Sequence, residues 1–173
     1  MVSLRLSPPT LADLDELFAF ELENRAFFEA HINARPRDYY ARDGVAKAIE
    51  SAMREAAEDK GYQFLARDRV GNLVGRVNLT RVRREHFHSA ELGYRVAQLH
   101  NGKGYAKEAV ALVLSKAFSE LGLIRVEATA RRENAASTQV LLRNGFTQYG
   151  QSTKSFHLND IWYDLLHFER RAG

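Results

Sequence analysis

The chain has 173 residues, 45% of them hydrophobic and 27% charged, with a formal net charge of +3 at pH 7; these values are typical of one globular domain spanning residues 1–173. No apolar run approaches the roughly 18 residues of a membrane helix, Met1 to Thr10 lacks the layout of a signal peptide, and the mild charge does not favour a nucleic-acid ligand. The absence of cysteine excludes disulfides, a thiol nucleophile and thiolate zinc sites, so the cytoplasm is the expected compartment.

The N-terminal third of the sequence predicts two helices. Thr10 and Asp13 have the spacing of a capping box, and leucines recur behind them at helical intervals. We therefore expect a first helix from Leu11 to Phe28 and a second from Asp43 to Lys60, where Gly61 ends it.

The pattern then changes to the alternation that is typical of strands. The segments YQFLAR and LVGRVNLT flank the turn sequence DRVGN, and SAELGYRV follows as a third strand. In this third strand Leu92 and Tyr94 alternate with Glu91 and Arg95, so the two sets are expected on opposite faces of the sheet.

The C-terminal half alternates helices and strands. Helical spacing returns from Tyr105 to Leu121, IRVEATA predicts a strand, and NAASTQVLLRNGF predicts a helix that Asn134 caps and Gly145 ends. Two final strands fit around a turn at Asn159 and Asp160, the second being IWYDLLHF. The order of the elements predicts a mixed α/β or α+β domain.

The segment AQLHNGKGYAKEAV joins the third strand to a helix and contains Gly102 and Gly104. The first N–H groups of a helix and its dipole bind anionic phosphates readily, and glycine lets a ligand approach the backbone. A tight turn without a ligand explains the same pattern. A P-loop does not fit, because Tyr105 follows Gly104, and a dinucleotide fingerprint fits poorly, because Lys107 stands at its third glycine.

Several segments together resemble the GNAT N-acetyltransferase superfamily, in particular its RimJ/RimL-like branch of ribosomal-protein N-acetyltransferases. ELGYRVAQLHNGKGYAKEAV is similar to the family's strand, pyrophosphate loop and helix, and NAASTQVLLRNGF to its second coenzyme motif. GNLVGRVNL and HLNDIWYDLLHF are similar to its central hairpin and C-terminal strands. The resemblance implies the acyl-CoA N-acyltransferase fold, a twisted and mostly antiparallel sheet with one splayed parallel strand pair, flanked by helices.

The resemblance also implies acetyl-coenzyme A as cosubstrate, and the sequence has no metal-ligand spacing. Main-chain N–H groups of the glycine loop would hold the pyrophosphate, and the pantetheine arm would pair with strand backbone in the splay. Asn134 would reach the coenzyme or act only as a helix cap. The coenzyme-binding residues that the resemblance implies are Tyr94, Arg95, Val96, Leu99, His100, Asn101, Gly102, Lys103, Gly104, Tyr105, Ala106, Asn134, Ser137 and Arg143.

Direct attack of an amine on the thioester is the simplest mechanism, because there is no cysteine to carry an acyl group. Glu91, beside the expected splay, and His157, whose ordinary pKa of about 6.5 suits proton transfer, are the two candidate bases. Water is a third alternative, since RimL-like proteins often have a glutamate near the position of His157 and this chain does not. Ser137 is the candidate donor to the leaving sulfur, or a serine that only satisfies a helix N–H.

The expected acceptor is the α-amine of a protein N-terminus, such as that of a ribosomal protein, because its pKa of about 7.7–8.0 lies well below the ~10.4 of lysine. A small-molecule amine is the alternative acceptor, and a regulator that binds acetyl-coenzyme A without turnover is an alternative function. Glu21, Asn24 and Phe28 are the expected acceptor contacts on the first helix. The strand IWYDLLHF offers an edge for a homodimer. Membrane and nucleic-acid partners are not expected.

Overall fold

A computed structural model describes residues 3–173, through which one sheet of seven strands runs. The strands are β1 (Arg5–Ser7), β2 (Tyr62–Arg67), β3 (Leu73–Arg83), β4 (Ser89–Val96), β5 (Arg125–Arg131), β6 (Thr147–Leu158) and β7 (Ile161–Arg171). The helices are α1 (Leu14–Glu23), α2 (Arg25–Glu29), α3 (Arg42–Ala57), α4 (Tyr105–Ser115) and α5 (Ala135–Arg143). The strand order is β1-β2-β3-β4-β5-β7-β6. No helix among the described residues is long and apolar enough to cross a membrane.

Each face of the sheet carries its own hydrophobic core. Helices α4 and α5 cover one face, where Val110, Leu141 and Phe168 are buried. Helices α1, α2 and α3 cover the other face, where Leu17 and Ile49 are buried. Complete burial of one such side chain stabilises the fold by about 1.5–3 kcal/mol, so both helical layers are held firmly against the sheet.

The parallel strands β4 and β5 pair over only part of their length. Their register contains three residue pairs, of which Glu91 with Glu127 is the last. Beyond it β4 continues to Val96 beside β3, and β5 continues to Arg131 beside β7. The two strands therefore diverge after Glu91 and leave a gap inside the sheet. This is the splayed pair that the sequence resemblance implied.

The ends of α5 confirm the sequence prediction. The Asn134 side-chain oxygen accepts a hydrogen bond from the Ser137 N–H at 3.1 Å, which satisfies one unpaired donor of the first turn. Gly145 follows the helix with a φ of +79°, a conformation that glycine adopts without strain. The cap and the stop thus fix how α5 lies beside β5.

The predicted helix from Leu11 to Phe28 is wrong as a single element. A 3₁₀ turn precedes α1, and α1 and α2 are separated at Asn24. The Asn24 side chain donates to the Phe20 carbonyl and accepts from the Gln98 N–H, both at 2.9 Å. A side chain that bonds to backbone in this way competes with helical hydrogen bonding, and here it also ties the helical layer to the loop that leads into α4.

Three short elements lie outside the sequence prediction, and one of them is a 3₁₀ turn over Gln98–His100 in the loop before α4. β1 pairs with β2 at the sheet edge, and a 3₁₀ turn over Arg37–Tyr40 leads into α3. A strand of three residues is too short to show an alternating pattern. The second predicted helix is confirmed as α3, which ends at Ala57 rather than Lys60.

Candidate active site

A cleft of about 450 Å³ fills the gap where β4 and β5 diverge. Its walls are Leu92–Val96 of β4, Ala128–Arg131 of β5, the first turns of α5, and α2 with the residues that follow it. Phe156 and Leu165 of the last two strands complete the lining. Because α2 and α5 pack on opposite faces of the sheet, the cleft passes through the sheet from one helical layer to the other.

The loop between β4 and α4 borders the cleft through Asn101, and the first turn of α4 borders it through Ala106. Gly102 and Gly104 have φ values of +73° and +87°, in the left-handed region that favours glycine. Gly104 directly precedes α4, and no side chain among residues 3–173 caps this helix end. The first N–H groups of α4 are therefore available to an anionic ligand.

The side chains of the other predicted loop residues point elsewhere. Leu99 and Lys103 are exposed, and the His100 ring packs edge-on against the Tyr105 ring at 5.3 Å between centroids. Arg143 is exposed on the last turn of α5. None of these five residues lines the cleft, and Gly102 and Gly104 are not part of its lining either.

Two hydroxyl groups meet inside the cleft. Tyr94 Oη of β4 lies 2.9 Å from Ser137 Oγ of α5, and both residues line the cleft. Burial raises the pKa of Tyr94 and the hydrogen bond to Ser137 opposes that rise, so the phenol keeps its proton at neutral pH. The sequence pointed to Ser137 but not to the Tyr94 hydroxyl. The alternation of β4, which places Tyr94 on the face of Leu92, was the available signal.

Asn134 lines the cleft and also caps α5. The cap uses the carbonyl oxygen of its side chain, and the NH₂ group of the same carboxamide is the part that can donate to a ligand. The two roles that the sequence left open are therefore geometrically compatible.

The cap has a measurable effect on stability. We expect Asn134→Ala to lower the free energy of unfolding by about 1 kcal/mol, because one N–H at the start of α5 loses its acceptor. Asn134→Asp keeps a capping oxygen and should retain the stability. Urea denaturation of both variants measures the difference, and equal stability of the alanine and aspartate variants contradicts the cap.

The two predicted bases lie apart, and neither lines the cleft. Glu91 stands at the closed end of the gap, half-exposed, with its carboxylate 3.4 Å from the Arg81 guanidinium. His157 is exposed on β6, and its ring lies 4.9 Å from the Trp162 ring, centroid to centroid. Neighbouring strand residues point to opposite faces, so Phe156 lines the cleft and His157 points away from it.

Of the three expected acceptor contacts, only Phe28 lines the cleft. Glu21 is fully buried and accepts a hydrogen bond from Arg76 of β3. Asn24 is buried where it joins α1 to the loop before α4. Glu21 and Asn24 therefore hold the fold together. No local pattern indicates this, because their partners Arg76 and Gln98 lie far along the chain.

Comparison with known proteins agrees with this architecture. A family model described as the acetyltransferase (GNAT) domain matches residues 3–147. The probable N-acetyltransferase YjcK of Bacillus subtilis (strain 168) is 35% identical over 165 residues, which cover 94% of this chain and 90% of that protein. The fold and this similarity define an N-acetyltransferase. The chain belongs to the GNAT acetyltransferase family.

Two solved structures share the fold. The ribosomal-protein-S5-alanine acetyltransferase from Vibrio fischeri has a TM-score of 0.92 at 19% identity, covering 99% of this chain and 96% of that one. RimJ of Mycobacterium smegmatis, in complex with CoA-disulfide, has a TM-score of 0.89 at 26% identity, covering 98% of this chain and 82% of that one. The fold predicted from the sequence resemblance is confirmed.

Proposed function

We propose that residues 1–173 act as one domain that transfers an acetyl group from acetyl-coenzyme A to a primary amine, with the α-amine of a protein N-terminus as acceptor. The observation that carries the proposal is the uncapped start of α4 beside a gap between parallel strands. An anionic group binds at such a helix end, and a chain attached to that group can enter the gap. The similarity to RimJ, which binds a CoA-disulfide, supports the same class of ligand.

The open edges of β4 and β5 suit the pantetheine arm. Beyond Glu91, β4 bonds to β3 on one side, and its other side faces the gap. Backbone groups of Tyr94 and Val96 on that side would pair with the amides of the arm, much as an added strand does. Backbone pairing of this kind needs no particular side chain.

The reaction forms an N–C bond and breaks a C–S bond. The acceptor nitrogen attacks the thioester carbonyl carbon, the nitrogen loses one proton, and the departing sulfur gains one. We assign the donor role to the paired hydroxyls of Tyr94 and Ser137, because the burial of Tyr94 keeps its proton in place. The proton of the amine leaves through water towards Glu91 at the closed end of the gap.

Removal of the Tyr94 hydroxyl tests this assignment. We expect Tyr94→Phe to lower kcat about 100-fold, the lower range of general acid catalysis, while the Kd of acetyl-coenzyme A changes less than about twofold. Tyr149→Phe is the matched control, because Tyr149 donates to Glu127 outside the cleft and its loss should leave kcat unchanged. Steady-state kinetics and calorimetry provide the two readouts. If Tyr94→Phe retains the kcat of the wild type, the hydroxyl pair is not the proton donor.

The function itself is tested by mixing the protein and acetyl-coenzyme A with a panel of N-terminal peptides and small amines. Mass spectrometry should detect acetylated peptide α-amines together with one free coenzyme A for each acetyl group transferred. Preferred acetylation of a small amine would show that the acceptor is a small molecule and not a protein N-terminus. Binding of acetyl-coenzyme A without single-turnover release would identify a regulator instead of an enzyme. The cytoplasmic location and the homodimer stay predictions.

A further inference from the structure

The part of the cleft that faces α2 is cationic. Arg95, Arg131 and His31 line it, and among residues 3–173 no aspartate or glutamate is part of the lining. The other lining residues contributed by α2 and the turn after it are apolar: Phe27, Phe28 and Ile32. A ligand in this part of the cleft therefore meets positive charge without a neighbouring carboxylate in the wall.

Positive charge exceeds negative charge around Arg95. Its Nη1 lies 3.7 Å from Glu21 Oε2, which is longer than a hydrogen bond, while the other oxygen of Glu21 accepts from Arg76. Arg35 lies close enough to repel Arg95, and its buried Nε has no hydrogen-bond partner in the described part of the chain. The guanidinium groups of Arg76 and Arg95 thus share one carboxylate, and Arg35 adds a third positive charge close to Arg95. Burial, reinforced by Arg35, lowers the pKa of Arg95 to about 10, so the group stays charged at neutral pH.

Arg131 adds a cation from the β5 side. Its Nη2 lies 3.5 Å from His31 Nδ1, and its guanidinium stands 4.7 Å from the centroid of the Tyr163 ring. The neighbouring Arg132 faces Asp164 at 3.7 Å, whereas Arg131 has no carboxylate within 4.0 Å among residues 3–173. Arg95 and Arg131 thus bring positive charge to the cleft from two strands.

This charge is not placed for the pyrophosphate of the coenzyme. The Arg95 side chain extends towards α1 and α2, where it contacts Glu21 and the Phe28 ring. Tyr94, the preceding residue, points to α5 on the other face of the sheet. The start of α4, where the pyrophosphate is proposed to bind, lies with the α4–α5 layer. Arg95 is therefore placed to contact a ligand that enters the cleft from the α2 side.

We propose that the acceptor carries a carboxylate close to its amine, and that Arg95 and Arg131 bind this carboxylate. The inference rests on the proposed function, because the α2 side must be where the amine enters. Partly buried guanidinium groups without a full set of counter-charges favour an anion, and they disfavour a polyamine through like-charge repulsion. A protein N-terminus with an acidic second residue supplies the required group, and so does a free amino acid.

The test compares three C-amidated peptides that differ only in their second residue, which is Glu, Gln or Lys. We expect kcat/KM for the Glu peptide to exceed that for the Gln peptide by at least about 10-fold, as for one hydrogen bond to a charged group. The Lys peptide and spermidine should be the poorest acceptors. Free glutamate and glutamine form a second arm, and a higher kcat/KM for free glutamate than for the Glu peptide identifies the free amino acid as the source of the carboxylate.

Substitution of the arginines assigns the preference to residues. Arg95→Gln and Arg131→Gln should each reduce the Glu-over-Gln ratio to within about threefold of one, with the KM of acetyl-coenzyme A unchanged. Arg54→Gln is the matched control, because Arg54 is exposed on α3 and outside the cleft. Thermal unfolding followed by circular dichroism verifies folding, and Arg131→Gln keeps the test decisive if Arg95→Gln does not fold.

The outcomes separate the two proposals. Equal rates with the Glu, Gln and Lys peptides overturn the carboxylate preference while acetyl transfer itself stands. A Glu preference that survives both substitutions overturns the role of these arginines. Absence of transfer to every amine overturns the proposed function and this inference with it.

Discussion

Gly104→Val should weaken the binding of acetyl-coenzyme A by about 1000-fold, roughly 4 kcal/mol. Gly104 directly precedes α4 and has a φ of +87°, which a β-branched residue adopts only under strain, so the loop must change its shape. The added side chain also stands where a ligand would approach the first N–H groups of α4. Each hydrogen bond to a charged group contributes about 1.5–3 kcal/mol, so the loss of two accounts for the effect. Isothermal titration calorimetry measures the affinity.

Gly71→Val is the matched control for backbone strain. Gly71 has a φ of +94° in the turn between β2 and β3, and a Cβ atom there meets nothing within 4 Å. The two variants should lose similar thermal stability, but Gly71→Val should bind acetyl-coenzyme A normally. An equal loss of affinity in both variants, or none in Gly104→Val, argues against pyrophosphate binding at α4.

Glu21→Gln should lower the free energy of unfolding by about 3–5 kcal/mol, the cost of breaking a buried ion pair on one side. Glu21 and Arg76 are 0% and 5% exposed, and the pair joins α1 to β3. Burial opposes the charge on Arg76, but Glu21 more than offsets it, so the pKa of Arg76 is raised. Arg76 also donates to Gln63 at 2.7 Å. Glutamine keeps the shape of the side chain and leaves the guanidinium without its counter-charge.

The control is an ion pair of the same type at the surface. Asp15 and Arg42 lie 2.8 Å apart with 79% and 62% of their side chains exposed, so solvent screens the pair and Asp15→Asn should lower the free energy of unfolding far less than Glu21→Gln does. Urea denaturation of both variants gives the comparison. Similar losses for Glu21→Gln and Asp15→Asn contradict the special contribution of the buried pair.

The sequence predicted best those elements that a local pattern determines. The alternation in SAELGYRV gave β4 with its observed bounds, Ser89–Val96, and Asn134 with Gly145 gave both ends of α5. The divergence of β4 from β5 was predicted only through the family resemblance. It depends on which strands pair, and strands that are distant in the chain leave no local signal of their register.

Contacts between side chains that are distant in the chain could not be predicted from the sequence. Glu21 has the position of a solvated residue on an amphipathic helix until Arg76 of β3 is seen beside it. The break between α1 and α2 depends on the Gln98 N–H, which no helical pattern encodes. Likewise, the orientation of His157 follows from its place in the twelve-residue strand β6. The adjacent residue Phe156 faces the cleft, so His157 points to the opposite side of the strand.

The short seam between β4 and β5 divides the sheet into a four-stranded and a three-stranded half. Beyond Glu91, the backbone groups of β4 and β5 that face the gap lack the hydrogen-bond partners that they would have in a continuous sheet. In the proposed complex the cosubstrate completes that ladder, so thermodynamic linkage couples its concentration to the folding equilibrium, with about 2.7 kcal/mol gained at 100 times its Kd. The concentration of the coenzyme would then govern the fraction of folded chains as well as the rate of the reaction.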